Sequence, residues 1–151
     1  MKLIQLSIRD PKLLDFLWDH INPCDLREDY TKLDAIKRIE ELCYQDNCRL
    51  YGDLDLGLVF RCSIANSKVL EPHIMGNGRY LREGFRLGAE MAWKMGFERM
   101  VIWTHHKKIA RIVHKCGWDL DAVLPRQHLE NGVLHDVFSL GLNKPCDILL
   151  Q

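Results

Sequence analysis

The sequence has no surplus of charge. Lys and Arg total 21 and Asp and Glu total 21, a formal net charge of zero. That balance argues against a general nucleic-acid binder, which needs a net basic face, although it leaves room for a local basic patch. No apolar run approaches the roughly 20 residues that cross a bilayer, so no membrane partner is expected. The N-terminal MKLIQLSIRDPK lacks a small-residue cleavage site and reads as a first strand rather than a signal peptide. There is no C-x-x-C pair among the six cysteines, Cys24, Cys43, Cys48, Cys62, Cys116 and Cys146. Scattered in this way they read as reduced core thiols, and a cytoplasmic setting is expected. There are no internal repeats and no low-complexity linker. What is there, 151 residues with 47% apolar and 28% charged, suffices for one domain spanning residues 1–151 with a real core.

The pattern along the chain predicts the order β-α-α-β-β-β-α-β-α-β-β. Met1 to Ile8 alternates as a strand. Asp10-Pro11 opens a helix through KLLDFLWDHI, since Asp accepts from the first free N–H groups and Pro suits the first helical position. Residues 22 to 30 read as a polar loop. Thr31 to Cys43 is a second helix with Leu33, Ile36, Ile39, Leu42 and Cys43 on one face. Strands follow at Arg49 to Tyr51 and Leu54 to Cys62, with a tight turn expected at Gly52-Asp53, then a strand at Ser67 to Ile74. A helix runs from about Arg79 to Lys94, carrying Leu81, Phe85, Ala89, Ala92 and Met95 at helical spacing, and Gly96 ends it. Arg99 to Thr104 contains MVIWT, a run of the kind buried on both faces. Lys107 to Cys116 is a short helix stopped by Gly117, and two last strands fall near Asp119 to Val123 and Leu134 to Leu140. The fold class is α/β, a single domain with a mixed, mostly antiparallel sheet and one central β-loop-α-β unit where a ligand is expected.

The stretch EPHIMGNGRYLREG, residues 71 to 84, joins that strand to that helix. Gly76-Asn77-Gly78 lets backbone N–H groups approach an anion without a clashing Cβ, the helix end adds its dipole, and Arg79 and Arg82 can add charge-assisted bonds. It is not a P-loop, which needs Gly-Lys-Ser/Thr at its end. It is not a dinucleotide fingerprint, which needs glycine where Leu81 stands. On the loop alone, a plain turn with glycines for geometry remains the competing reading.

The run from residue 69 to 118, together with the order of elements, resembles the GNAT superfamily of acyl-CoA N-acyltransferases. The matching residues are His73-Ile74-Met75-Gly76-Asn77-Gly78 followed by Leu81, against the family form [RQ]-x-x-G-x-[GA] with a later Leu. The following helix matches less well: His106, Ile109 and Val113 stand at the family's Asn, Ala and Tyr positions. The resemblance implies acetyl-CoA as co-substrate, with Ile74, Met75, Gly76, Asn77, Gly78, Arg79 and His106 around it. The pantetheine would lie between strands 67–74 and 99–104, and an amine of a small molecule or protein would attack the thioester. Glu71 and His73 are the general-base candidates. The family's proton-donating Tyr is absent, since Val113 has no proton to give. His114 is next door but about 100° around the helix, and serves only if that helix is rotated.

The strand-end Glu-x-His, Trp93, Gly117-Trp118 and the Gly132 to Asp136 spacing are also similar to a phage-encoded branch of the superfamily that includes head-assembly and virion proteins. That implies an alternative in which the fold is kept as an assembly module with weak or no catalysis and with protein partners. His105-His106, considered with His73 and His114, falls short of a metal site, because adjacent histidines diverge and no Cys or acid lies at ligand spacing. It reads as a polar strand-to-helix loop, and no metal is expected. Lys107, Lys108, Arg111 and Lys115 read as a solvated face, with a phosphate role as the other reading. Tyr80 and Trp103 read as core or cleft walls. The apolar tail with Ile148, Leu149 and Leu150 suits packing on the sheet or on a neighbouring subunit, so a homo-oligomer is a further expectation.

Overall fold

The structure, a computed structural model, describes residues 1–21 and 31–146. The loop expected at 22–30, with Cys24, and the tail residues Ile148, Leu149 and Leu150 lie outside the described residues. The elements are β1 (Ile4–Leu6), α1 (Pro11–His20), α2 (Lys32–Tyr44), β2 (Cys48–Asp53), β3 (Leu58–Asn66), β4 (Val69–Gly76), a 3₁₀ turn (Gly78–Tyr80), α3 (Leu81–Lys94), β5 (Arg99–Thr104), α4 (Lys107–Lys115), β6 (Asp119–Glu130) and β7 (Val133–Asn143). This is the order expected from the sequence, and its causes are local. The Asp10 carboxylate accepts from the Lys12 N–H and Pro11 occupies the first turn of α1. Thr31 and Asp34 form a reciprocal capping box on α2. Gly96 and Gly117 follow α3 and α4 in the left-handed region, with φ of 94° and 96°.

Among the described residues, seven strands form one sheet in the order β1-β2-β3-β4-β5-β7-β6. Every neighbouring pair is antiparallel except β4–β5. Alternation along the strands splits the core into two layers. On one face Leu13 and Leu17 of α1 and Ile36 and Ile39 of α2 pack on Leu50 and Val59. On the other, Phe85 of α3 lies edge-on between Phe60 and Trp118, at 5.6 and 5.4 Å between ring centroids, beside Met100, Ile102 and Val113. Among the described residues, no helix is long and apolar enough to cross a membrane.

Three expectations about elements are corrected. Gly52-Asp53 is not a turn: β2 continues through Asp53, and the reversal falls at residues 54–57, where Gly57 has a φ of 68°. Gly52 is a glycine because a Cβ there would run into the Leu58 carbonyl of the facing strand. The last two strands are longer than expected and meet at Asn131-Gly132, with φ of 50° and 77°, the left-handed pair that a two-residue hairpin turn requires. Finally, β5 is buried on one face only. Met100, Ile102 and Thr104 point into the core, whereas Trp103 is 45% exposed.

Candidate functional site

The parallel strands β4 and β5 pair only at Val69–Arg99 and Leu70–Met100. That end is fastened further by the Lys68 carbonyl, which accepts from the Glu98 and Arg99 N–H groups at 2.8 and 3.1 Å, and by a 3.2 Å Lys68–Glu98 ion pair. From Glu71 onward the two strands part. β4 stays paired with β3 as far as Gly76, and β5 with β7 as far as Thr104, so the gap opens between two intact halves of one sheet. A cleft of about 1050 Å³ occupies it, lined by residues 72–76 of β4, by residues 102–106, and by Arg38, Ile39 and Leu42 of α2. The face of β5 expected to be buried is the floor of this cleft, with Trp103 in it.

The glycine turn closes the wide end of the gap. Gly76 has a φ of 100°, and its neighbour Asn77 donates its N–H to the Gly57 carbonyl at 2.6 Å. A side chain at Gly76 would strike that carbonyl and come within 2.7 Å of Phe16 Cζ, so Gly76 is required by the turn itself. The Asn77 side chain caps the 3₁₀ turn by accepting from the Arg79 N–H at 3.0 Å. Two of the N–H groups predicted to face an anion are therefore engaged within the turn. At Gly78 a Cβ would find only Leu81 Cδ1, at 3.7 Å, so the backbone there is open to close approach. Arg79 and Arg82 are exposed beside it.

Ile74, Met75, Gly76, His73 and His106 line the cleft together; Asn77, Gly78 and Arg79 follow directly at its end. His73 stands opposite Arg61 and Glu71 opposite Ser63 on β3, one face of the sheet. Burial, and then the Arg61 guanidinium, push the His73 imidazole down to about 4, so it is neutral at pH 7. His114 is not brought to the cleft. Val113 is fully buried in the α3–α4 core, which turns His114 outward, where its Nδ1 lies 2.9 Å from the Trp118 carbonyl beyond the end of α4. Lys107, Lys108, Arg111 and Lys115 form the exposed face of α4. Burial raises the Cys48 and Cys62 thiols to about 12, so they are protonated and inert, as core thiols should be.

Sequence reasoning missed Arg38 and Arg61, both on the cleft wall. For Arg61 the signal was a lone charge inside the apolar strand LVFRCSI. His105 does lie in the loop between β5 and α4, but its surroundings were not legible: its Nε2 lies 2.9 Å from Glu130 Oε2, its ring stacks on His128 at 3.9 Å and is tilted against His106 at 3.9 Å, with His135 at 5.9 Å. Burial first, then His106 and His128, lower its pKa against the opposing pull of Glu130.

The fold is that of the GNAT acyl-CoA N-acyltransferases. Spermidine N-acetyltransferase from Vibrio cholerae, solved with CoA and spermine, superposes with a TM-score of 0.77 over 94% of each chain at 12% identity. The N152L mutant of the same enzyme gives 0.74 over 94% of this chain and 92% of that one at 13% identity. A dodecameric form of it gives 0.71 over 94% and 92% at 12% identity. No family model matches the chain, and no curated protein matches it.

Proposed function

We propose that the chain is an N-acyltransferase that uses acetyl-CoA to acetylate an amine. The observation that carries this reading is the gap between β4 and β5, with the glycine turn and an α-helix start at its open end. A gap in a sheet leaves the inner edge of β4 without a neighbouring strand from Glu71 on. An extended pantetheine arm with its two amides suits such an edge. The Gly78 backbone, Arg79 and Arg82 would hold the pyrophosphate, and Ile74, Met75 and His106 would flank the arm. CoA in a structural neighbour lends weight to this choice of co-substrate.

The acceptor would enter from the α1–α2 face. Its nitrogen attacks the thioester carbonyl, the C–S bond breaks, and the proton lost by nitrogen ends on the thiolate, leaving an amide and free CoA. His73, neutral at pH 7, is the imidazole placed to accept a hydrogen bond from the amine, with Glu71 two residues along the same face. Val113 donates nothing, so the proton reaches sulfur through solvent or from the amine itself. Among the described residues the charged side chains on the cleft wall are Arg38, Arg61 and Glu41, and Arg38 already holds Glu41 at 3.2 Å. That balance favours an acceptor with one amine over a polycation such as the spermine bound by the structural neighbour.

The buried Val113 favours a second reading, a fold kept for assembly, with protein partners and even a place in a phage particle, and little catalysis. Exposed Leu129, Val133 and Leu134 on the β6–β7 hairpin suit self-association under either reading. Thermal unfolding with and without excess acetyl-CoA separates the two. A ligand at 100 times its Kd adds about 2.7 kcal/mol, a rise of several degrees in a domain of this size. A rise, followed by CoA release with a panel of monoamines, supports the enzyme. No rise at millimolar acetyl-CoA would reject it in favour of the assembly module.

A further inference from the structure

We propose that His105, His128 and Glu130 form a binding site for one divalent transition-metal ion, zinc by its ligand set, that ties the β6–β7 hairpin to the end of β5. One candidate ligand atom from each of the three residues lies within 4.8 Å of the other two. Around a zinc ion with bonds of about 2.1 Å, tetrahedral ligands are about 3.4 Å apart, within reach of small rotations of these side chains. The His105 and Glu130 side chains are only 10% and 19% exposed, and their 2.9 Å contact would open by about 0.5 Å to admit a shared cation.

The second observation is independent. His128 Nε2 is buried and has no hydrogen-bond partner. A buried imidazole nitrogen left without a partner costs about 1–3 kcal/mol, and a metal ion is one of the few partners that removes that cost from inside a cluster of histidines. The backbone is shaped to deliver this ring. The β6–β7 register slips between Leu124 and His128, and Arg126 within the slip has a φ of 51° with its N–H held by Asp136 Oδ1 at 3.1 Å. Such a bulge re-aims the residues that follow it. His128 and Glu130 are then two apart on one strand and so face the same way, toward His105. Two imidazoles and one carboxylate suit zinc, with a fourth position left for water, and the hard oxygen-preferring cations less well. His105 and His128 both line the cleft, so the ion would sit in its wall. The site does not depend on acyl transfer.

The test is titration of the metal-free full chain with Zn²⁺ by calorimetry, paralleled by Co²⁺ absorption. The expected result is one equivalent of tight binding, visible d–d bands without a thiolate-to-cobalt transition, and a loss of at least tenfold in affinity in both His128→Ala and Glu130→Gln. His114→Ala, remote from the cluster, should bind as the native chain does. If the variants fail to fold, nitrogen-15 imidazole spectra of the native chain decide: Zn²⁺ must shift the His105 and His128 signals. No binding, a thiolate band, unchanged affinity in both variants, or unshifted His105 and His128 signals would each overturn the proposal.

Discussion

Lowering the pH should destabilise this protein in part through one residue, His73. His73 is neutral in the folded state because burial, and then Arg61, depress its pKa from 6.5 to about 4. In the unfolded chain it titrates near 6.5. Above that value neither state holds the proton and His73 contributes no pH dependence. Between 6.5 and 4 the unfolded state is protonated and the folded state is not, so stability falls as pH falls, at about 1.4 kcal/mol per pH unit. Below about 4 both states are protonated and the loss stops. The full window is 6.5 less 4, or 2.5 units, which corresponds to about 3 kcal/mol, a sizeable part of a domain's stability. Other ionisable groups also contribute to acid unfolding, so the comparison must be with His73→Gln, which keeps a polar side chain of similar length and cannot take up a proton. Urea unfolding of both proteins at pH 7.5 and 4.5 gives a double difference. The native chain should lose about 2–3 kcal/mol more than the variant. Equal losses, within about 0.5 kcal/mol, would refute the claim that His73 is held neutral by its surroundings.

Four further outcomes are expected from the structure. Gly76→Ala should cost roughly 2–4 kcal/mol in a thermal or urea melt, because φ is 100° and the new Cβ meets the Gly57 carbonyl and Phe16. Gly78→Ala should melt within about 1 kcal/mol of the native chain yet weaken acetyl-CoA binding, as read by the ligand-induced shift in melting. Trp118→Ala, which empties the space beside Phe85, should destabilise by about 3–5 kcal/mol. His114→Ala should cost about 0.5–1.5 kcal/mol through loss of its bond to the Trp118 carbonyl, and should leave kcat for acyl transfer unchanged; a fall of more than tenfold would return His114 to the reaction.

Much of the architecture was legible because it rests on short-range causes. Leu81, Phe85, Ala89 and Ala92 repeat at helical spacing and are buried as expected, whereas Met95 at the end of that stripe and Leu33 at the start of the α2 face are exposed. Gly96 and Gly117 stop their helices because only glycine adopts that φ cheaply. The glycine turn was found for the same reason. What failed was what depends on a neighbour. Gly52 was read as a turn because a glycine excluded by a facing carbonyl looks the same in sequence as one that bends the chain. The start of β6 was found, but its continuation from Leu124 to Glu130 was not, because the strand is exposed over most of its length and no apolar alternation marked it, and the Asn131-Gly132 turn that announces the hairpin was passed over. Trp103 was left between core and cleft wall, and β5 was read as buried on both faces, because a cleft floor and a buried strand use the same side chains; the structure puts Trp103 in the cleft. The cluster of His105, His128 and Glu130 joins residues 23 and 25 positions apart through a third strand, which no periodicity reports. The 100° step from Val113 to His114 was legible, and it holds: Val113 is in the core and His114 is turned away from the cleft.

The two-residue pairing of β4 with β5 has a mechanical consequence. A sheet sewn along its whole length resists bending as a plate. This one is hydrogen-bonded across β4 and β5 at Val69–Leu70 only, and beyond that point its halves are joined on one face alone, by the α3 layer in which Phe85 touches both Phe60 and Trp118. A molecule lying along the open margin of β4 would supply the missing backbone connection on the other face. Amide exchange should report it directly: the N–H groups of residues 71–76 that face the gap would slow when the margin is occupied, while those of β2 and β3 would keep their rates.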